Sequence, residues 1–587
     1  MWTQWLPWRF LLSRVARSRG FLDPVPLLSR LRSLAQPSEV AAPVELLRAG
    51  VLFHARGLIN SRVIQYNLDW VWPCWVERQY DPEGASFVPR AFSITHVNLT
   101  HRNWTAVGIP DVDRHPIVDP RGLVTPLYDG WSVDAWLIPE SGDPLLPSRT
   151  RKAEQELSLE VDEAGGGSGG DSLLLVETRS RGDAGHLVER VDAVWEDGAN
   201  CRIRVDAESD EPGWLALAVR PSNPEGVRFI HGVERTGPST LRVNGEAQIR
   251  LSRAPDRLLM SRYRDGDVLH ALRSESSMKA AEIDAVECSA GVATAAALFR
   301  LDASGTASVS ARVPLEDGSD AEPGAEVQVP SRTPSWRTIL EGTARLQAPE
   351  EPFSFLYDAA VRSLVLHAPG DVYPGPYTYK RFWFRDAAFI LEALCSVGLA
   401  DRARRTLETY PERQERSGFF RSQEGEWDAN GAALWAMDRY RLLAGEPLPA
   451  DWIASVRKGA RWVQEKRLDE DLDEPHAGLL PAGFSAEHLG PNDYYYWDDF
   501  WCAAGLRAAA RILREEAGDA DAADRWDREA GDLLASVDRS SLRSPGYRRT
   551  GGVPASPYRR MDAGAVGSLA AGHPLRLWEP ADDRLLA

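Results

Sequence analysis

The hydrophobic pattern of the chain changes its period once, near residue 345. From about residue 60 to residue 330, short segments are alternating or rich in β-branched residues, and Gly, Pro, Asn and Asp interrupt them at close spacing. Such segments are CRIRVDA (201–207), WLALAVRP (214–221), VRFIHGVE (227–234), TLRVNGEAQIRL (240–251) and TASVSARVPL (306–315). Alternation with a period of two is typical of strands with one buried face. This part therefore predicts an antiparallel β-sandwich.

Two segments of unusual composition interrupt this region. DEAGGGSGGDS (162–172) stands between the strand-like segments LSLEV and SLLLVE, which predicts a flexible loop within a hairpin. The acidic, Pro-containing stretch 314–336 is the better candidate for a domain boundary.

After that stretch the apolar residues recur at helical spacing. The predicted helices cover 353–367, 386–398, 428–445, 451–467, 499–518 and about 520–537, and a shorter one begins near Asp562. Several of them are apolar nearly all round, which indicates burial between neighbouring helices. The pattern predicts an array of α-hairpins.

Composition and charge narrow the class of protein. The chain has 587 residues, of which 43% are hydrophobic and 26% charged, as expected for two or three globular domains. Its net charge of −18 argues against nucleic acid as a partner. The five cysteines are scattered and never form a CxxC pair, which predicts reduced thiols and a cytoplasmic protein. Neither an EF-hand pattern nor a His/Cys ligand cluster occurs, so we predict no catalytic metal or cofactor.

The N-terminus, MWTQWLPWRFLLSRVARSRG, is basic and rich in Trp. Nowhere in the chain does an apolar run approach the roughly 20 residues that a membrane span requires, so we predict no such span. This segment has two interpretations: an amphipathic helix on an anionic membrane surface, or a helix docked on the protein.

Three aromatic and acidic clusters precede predicted helices: WFRD (383–386), GEWDANG (425–431) and YYYWDDFW (494–501). If inner and outer helices alternate, all three clusters lie at the N-terminal ends of inner helices and meet at one mouth. Aromatic faces beside carboxylates suit a sugar, whose C–H faces stack on rings while its hydroxyls need fixed acceptors. The competing hypothesis is that Asp386, Asp428 and Asp498 are N-caps, a position that Asp favours.

The clusters resemble the six-hairpin, (α/α)6-toroid glycoside hydrolases, above all the bacterial glucoamylase and glucodextranase type. RFWFRDAAFILEAL looks like the WxRD signature of that family, which implies that Trp383 stacks on the terminal sugar and that Arg385 and Asp386 bind its hydroxyls. EWDANGAALWAM resembles the start of a second inner helix, which implies that Trp427 and Asp428 line the substrate.

In YYWDDFW, Trp497 and Asp498 occupy the place of the family's Trp and its general-acid Glu. The resemblance thus implies that Asp498 is the general acid, one methylene shorter than Glu. Tyr496 and Asp499, its neighbours, are further predicted substrate-binding residues. We expect burial against the aromatic residues and repulsion from Asp499 to raise the pKa of Asp498.

The resemblance also implies a domain order. We predict an N-terminal helical segment (1–55), a supersandwich-like β-domain (56–340) and an incomplete (α/α)6 toroid (345–587). A complete toroid has twelve helices, and residues 350–587 predict only about seven or eight. We therefore expect the chain to be a fragment that lacks the catalytic base of the family.

The implied function is an exo-acting, inverting glycoside hydrolase on α-linked glucan or a related oligosaccharide. Inversion needs a second carboxyl roughly 6.5–9.5 Å from the acid, with room for water between them. One alternative is a non-catalytic glycan-binding protein on the same scaffold. Another is an (α/α)6 enzyme of different chemistry, such as a phosphorylase or a lyase.

Overall fold

The computed structural model describes residues 63–64, 66–73, 104–149, 153–159, 174–224, 226–274, 278, 282–315, 335–376, 380–484 and 492–587. The predicted N-terminal segment (1–55) and Gly-rich loop (162–172) lie outside these residues, as does most of 314–336. The described residues up to Gly370, with 375–380, form one compact unit, here called the sandwich unit. Residues 371–374 and 381–587 belong to the second, here called the helical unit.

Two antiparallel sheets build the sandwich unit, as the alternating pattern predicts. In spatial order, the first sheet contains β1 (Thr105–Ala106), β2 (Ile117–Val118), β3 (Val124–Thr125), β4 (Ser132–Pro139), β9 (Gly213–Arg220), β17 (Thr294–Arg300) and β15 (Arg257–Ser261). The second contains β16 (Ala285–Glu287), β12 (Gly232–Gly237), β13 (Thr240–Val243), β14 (Ala247–Leu251), β18 (Thr306–Pro314), β8 (Ala199–Glu208), β7 (Gly185–Trp195), β6 (Leu175–Gly182) and β5 (Glu154–Ser158). The short strands β10 (Ser222–Asn223) and β11 (Gly226–Val227) pair with each other.

The two sheets differ in how many faces they bury. In β8 of the second sheet, Cys201 and Ile203 point into the core between the sheets while Arg202 is only half-buried, which gives strict alternation. In β9 of the first sheet, Leu215 faces that core and Ala216 packs under α1 (Val268–Leu272) on the opposite face. A sheet covered on both faces has continuous apolar strands, which explains why WLALAVRP does not alternate.

The hairpin predicted around the Gly-rich loop is confirmed, since β5 and β6 pair antiparallel from Ser158 with Leu175 to Glu154 with Arg179. VRFIHGVE, predicted as one strand, is divided between β11 and β12. The N–H of Arg228 still donates to the carbonyl of Pro221 at 2.9 Å, which extends the β10–β11 contact by one residue, and the buried guanidinium of Arg228 bonds Asp129. The break between the two strands follows Arg228 and ends at Gly232.

The remaining helices follow the predicted period closely. They are α2 (Trp336–Leu340), α3 (Glu351–Leu366), α4 (Phe384–Ser396), α5 (Ala400–Leu407), α6 (Tyr410–Arg413), α7 (Asp428–Ala444), α8 (Ala450–Lys466), α9 (Tyr496–Glu515), α10 (Ala520–Arg543), α11 (Pro545–Thr550) and α12 (Asp583–Leu586). A 3-10 helix covers Ala563–Ala571. By their contacts α2 and α3 belong to the sandwich unit, and the rest belong to the helical unit.

Inner and outer helices alternate in the helical unit. Helices α7 and α9 are buried on nearly all sides, whereas α8 and α10 bury one face each. Helix α7 packs between α4 and α9, and α10 packs on α9. At the α7–α9 contact, a Cβ on Gly431 would lie 2.2 Å from the carbonyl carbon of Trp501, so only glycine permits this approach. The close packing brings the starts of α4, α7 and α9 together.

Candidate functional site

Helices α4, α7 and α9 each begin directly after an aromatic residue. Trp383, Trp427 and Tyr495 hold the N-cap positions, and none of these three residues caps its helix with its own side chain. The three aspartates proposed as caps lie inside the first turns instead: Asp386, Asp428 and Asp498. The capping hypothesis is therefore wrong for all three.

The three clusters converge on the carboxylate of Asp428. Arg385 donates to it through Nε at 2.5 Å and Nη2 at 3.1 Å. The indole Nε1 of Trp497 donates to the same carboxylate at 2.8 Å, and the guanidinium of Arg385 lies 5.9 Å from the centre of that indole ring. Residues from α4, α7 and α9 thus form one connected group, as the sequence pattern predicts.

Glu426 also belongs to this group, although the sequence analysis did not single it out. Its carboxylate lies 3.9 Å from Nη2 of Arg385, and the residue is buried. Arg385 therefore faces two carboxylates from one segment. The available signal was the position of Glu426 in GEWDANG, directly before Trp427.

The predicted sugar-contacting residues fall into two groups, one partly exposed to solvent and one buried. Trp383, Asp386 and Trp497 are half-buried and present part of their surface to solvent. The ring of Trp383 also carries the guanidinium of Arg381, whose Cζ lies 4.5 Å from the ring centre.

Trp427, Tyr496 and Asp499 do not line the site, because they are buried against protein partners. Trp427 packs against the stacked rings of Phe419 and Trp462, and the hydroxyl of Tyr496 bonds that of Ser540 at 2.8 Å. Tyr496 and Asp499 are three residues apart and so share one face of α9.

Asp499 accepts a hydrogen bond from the backbone N–H of Leu480 at 2.9 Å. Burial raises its pKa to about 8, although that N–H and the charge of Arg467 oppose the shift.

Asp498 is the most isolated carboxyl group of the site. It is 1% exposed, and neither of its oxygens has a hydrogen-bond partner of normal geometry, although the backbone N–H of Asp428 faces the carboxyl and lowers its pKa. Gly483 covers it: a Cβ there would lie 2.9 Å from Oδ2 of Asp498 and 2.6 Å from the carbonyl oxygen of Gly425.

Burial raises the pKa of Asp498 well above its usual range, and the charge of Asp428 raises it further. Arg385 opposes the shift, while the charge of Asp499 acts in the same direction as burial. Burial and the neighbouring carboxylates therefore favour the protonated form of Asp498.

Within the described ranges, no cluster of His, Cys, Asp or Glu side chains is arranged to hold a metal ion. The helices of the same ranges include none whose length and apolar character would allow it to cross a membrane.

Comparison with known proteins identifies the fold. No family model matches the sequence, and no curated protein matches it. A bacterial glucoamylase complexed with acarbose aligns with a TM-score of 0.52 at 12% identity, over 76% of this chain and 69% of that one. A putative kojibiose phosphorylase from human microbiome aligns with a TM-score of 0.37 at 8% identity, over 75% of this chain and 63% of that one. An inverting mannosidase from Bacteroides thetaiotaomicron aligns with a TM-score of 0.34 at 11% identity, over 74% of this chain and 62% of that one.

The likeness to the glucoamylase covers both units, since it spans about three quarters of the chain. At 12% identity it shows a shared fold and assigns no activity. Antiparallel sheets followed by an α-hairpin array, with the TM-score of 0.52, give the chain the glucoamylase-like, six-hairpin fold.

Proposed function

We propose that this protein is a glycoside hydrolase acting on α-linked glucan or a related oligosaccharide. The observation that supports the proposal is the convergence of Arg385, Asp428 and Trp497, which come from three distant segments and meet within hydrogen-bond distance. Trp383 and Trp497 offer ring faces to the C–H face of a sugar, and Asp386 offers acceptors to its hydroxyls. The buried side chains of Arg385 and Asp428 support these sugar-contacting side chains and hold them in position.

Asp498 is the proposed general acid. A general acid must hold its proton near neutral pH, and burial together with the charge of Asp428 raises the pKa of Asp498 in that direction. Proton transfer to a glycosidic oxygen also requires contact with the substrate, and Gly483 covers the carboxyl in the structure. We therefore propose that the segment at Gly483 moves aside when the substrate binds.

The alternative function is glycan binding without catalysis. The observation that favours it is the 1% exposure of Asp498, since a covered carboxyl cannot donate a proton to a bound sugar. The half-exposed indoles of Trp383 and Trp497 would then bind the sugar by stacking alone.

Reducing-sugar release from a panel of α-glucans by the purified full-length protein tests both functions. We expect release by the wild type and a fall in rate of about 10²- to 10⁴-fold for Asp498→Asn, the usual contribution of a general acid. Asp519→Asn is the matched control, because Asp519 is a true N-cap of the remote helix α10 and Asn caps equally well. Glucan binding without release by the wild type would support the alternative, and full release by Asp498→Asn would refute the role of Asp498.

Exo action and inversion belong to the same proposal. Inversion at an α-linkage yields a β-configured sugar as the first product, which proton NMR detects before mutarotation. An α-configured first product would show retention instead, and this outcome requires the two carboxyl groups to lie only about 5–5.5 Å apart.

We further propose a cytoplasmic location. The support is the scattered arrangement of the five cysteines in the sequence, together with the free, buried state of Cys201, Cys288, Cys395 and Cys502.

A further inference from the structure

The N-terminal half of α3 exposes an apolar face that the proposed site does not use. Phe353, Leu356 and Ala360 recur at helical spacing, which is typical of a face that packs on a neighbour. In the structure all three are exposed, Phe353 to 55% and Leu356 to 61%. Phe355 and Leu346 add two further exposed apolar side chains. We call Leu346, Phe353, Phe355 and Leu356 the α3 patch.

The rest of the helix and the segment before it hold the α3 patch in place. Val361 and Val365, in the second half of α3, are buried. The N–H of Ala348 donates to the hydroxyl of Ser354 at 3.1 Å, which ties the segment that carries Leu346 to the start of the helix. The exposed side chains therefore stand on a fixed backbone, and contiguous apolar surface of this kind marks an interaction site.

The surroundings of the α3 patch are acidic. Glu350 is the N-cap residue of α3 and Glu351 is its first residue, and both are exposed. The side chain of Glu350 makes no capping hydrogen bond. Residues 341–360 together carry four carboxylates and one arginine, Arg345. A partner that suits this surface combines large apolar side chains with positive charge.

The segment 1–20, which lies outside the described residues, has that composition in its sequence. Its charged side chains are all arginines, and it contains three tryptophans: Arg9, Arg14, Arg17, Arg19, Trp2, Trp5 and Trp8. The sequence leaves two surfaces open for it, an anionic membrane and the protein itself. The net charge of −18 opposes approach of the chain to an anionic membrane, whereas the acidic start of α3 attracts the arginines.

The segment and the α3 patch belong to the same chain. Residues 21–62 connect the segment to Val63, which packs against the core of the sandwich unit, and α3 is part of that unit. A tether raises the local concentration of a segment, so contacts that are too weak for separate molecules can hold it in place. This favours the chain's own segment over a separate protein.

We propose that residues 1–20 dock on the α3 patch, with the tryptophans covering Phe353 and Leu356 and the arginines facing Glu350 and Glu351. The contact is intramolecular and does not depend on the proposed glycoside hydrolase activity. It removes the apolar side chains of both partners from water, and it withdraws the segment from a membrane surface.

A photo-crosslinker in the α3 patch of the full-length protein tests this contact. With Leu356 replaced by photoreactive benzoylphenylalanine, illumination should link position 356 to residues 1–20 of the same chain, as identified by mass spectrometry of tryptic peptides. Glu350→Lys/Glu351→Lys should lower the yield of this link by roughly three- to tenfold, because repulsion replaces two exposed ion pairs. The same crosslinker at Tyr263 is the matched control, because Tyr263 is also exposed in the sandwich unit, and it should give no link to residues 1–20.

The linked products distinguish the possible occupants of the α3 patch. A link to residues 1–20 within one chain, weakened by the charge reversal, supports the proposal. A product with the mass of two chains would show that a second copy covers the patch, and a link to another segment, or none, would also overturn the proposal. If no link forms and the wild type sediments with vesicles that contain phosphatidylserine, the segment belongs to a membrane surface. A yield that the charge reversal leaves unchanged would overturn the role of the two carboxylates.

Discussion

Each unit of the molecule buries an Arg–Asp pair beside a tryptophan, and the two pairs differ in how completely the protein satisfies them. In the sandwich unit, Arg220 donates to Asp267 at 2.8 and 2.5 Å, and its guanidinium lies 5.1 Å from the ring centre of Trp136. In the helical unit, Arg385 and Asp428 make the same two-bond contact beside Trp497. Each pair thus consists of an Arg and an Asp that are joined by two hydrogen bonds.

In the sandwich pair, each oxygen of Asp267 has two protein donors, whereas Nε of Arg220 has no hydrogen-bond partner. Asp267 also accepts from the backbone N–H groups of Val71 at 2.8 Å and Leu269 at 3.2 Å, and Arg220 donates to the carbonyl of Val71 at 2.8 Å. Burial alone would raise the pKa of Asp267, but Arg220 and these N–H groups outweigh it and lower the pKa. A buried charge with this many partners stabilises a connection within the fold.

The Arg385–Asp428 pair of the helical unit is less completely enclosed by protein. Trp497 is half-exposed, and the neighbouring Asp498 has no hydrogen-bond partner of normal geometry for either oxygen. In the sandwich unit, Asp134 also has one oxygen without a partner, but the other accepts from both Trp136 and Ser148. A buried Arg–Asp pair alone therefore does not indicate a ligand-binding site. A pair that has an exposed ring on one side and an unsatisfied carboxyl on the other does indicate one.

The largest expected effect comes from removing the arginine of each pair. Arg220→Met leaves Asp267 buried and charged, and we expect a loss of about 3–5 kcal/mol in the free energy of unfolding. Arg220→Met/Asp267→Asn should recover part of that loss, because the amide carries no charge, although its single oxygen can accept from only one of the N–H groups of Val71 and Leu269. Urea denaturation followed by tryptophan fluorescence measures both, and sugar release per folded molecule should not change.

The same pair of variants in the helical unit should separate stability from activity. Arg385→Met should destabilise the protein, and Arg385→Met/Asp428→Asn should recover stability. Sugar release should fall by roughly 10- to 100-fold in both, since a charge-assisted contact to the substrate surface is lost. Recovery of activity in the double variant would show that this pair contributes only to stability, like its counterpart in the sandwich unit.

Both units contain buried carboxyl groups with a raised pKa, such as Asp119 and Glu189 in the sandwich unit, and Asp499 in the helical unit makes the consequence measurable. Its pKa of about 8 in the folded protein lies above the value of about 4 in an unfolded chain. From about pH 4 to about pH 8 the folded state therefore holds a proton that the unfolded state has released. The free energy of unfolding must fall across this window and level off above it.

Asp499→Asn should reduce that fall by a few kcal/mol, because the amide still accepts from Leu480 and does not titrate. Urea denaturation at about pH 5 and pH 8 measures the slope, and the raised pKa of Asp498 should leave part of it in place. Asp302→Asn is the control, because hydrogen bonds from Ser304 and Thr306 lower the pKa of Asp302 to about 2 and it stays ionised in this window. An unchanged slope in Asp499→Asn would show that Asp499 is ionised when folded.

Periodicity predicted the helices well and their first residues less well. The predicted start of α9 at residue 499 lies three residues after the observed start at Tyr496. That error made Asp498 a candidate cap, when it is in fact inside the first turn. Helix starts of this kind escape prediction because Trp383, Trp427 and Tyr495 supply no side-chain cap, so the usual Ser, Thr, Asp or Asn signal is missing.

The convergence of the three clusters was predictable, and the direction of each side chain was not. Alternation of inner and outer helices is enough to bring Arg385, Asp428 and Trp497 to one end of the array. Within YYYWDDFW, however, consecutive side chains point in directions about 100° apart, so neighbours in sequence separate in space. Tyr496 turns towards Ser540 while Trp497 turns towards Asp428. Without the exact phase of α9, the sequence cannot distinguish the two.

The smallest expected effect compares the two tryptophans as Phe variants. Trp497→Phe removes one hydrogen bond to Asp428, but Trp497 is half-exposed and water can replace its N–H. Trp136→Phe removes the 2.7 Å bond to Asp134 in a fully buried place and leaves Ser148 as the remaining donor to that oxygen, and the loss of a buried hydrogen bond to a carboxyl costs about 1–3 kcal/mol. We expect Trp136→Phe to lower the free energy of unfolding by about that amount, and Trp497→Phe by less than about 1 kcal/mol.

Conversely, KM for an α-glucan should rise a few-fold in Trp497→Phe and stay constant in Trp136→Phe. If Trp497→Phe proved the more destabilising variant and left KM unchanged, the helical pair would be enclosed by protein like the sandwich pair, and the distinction between the two would be lost.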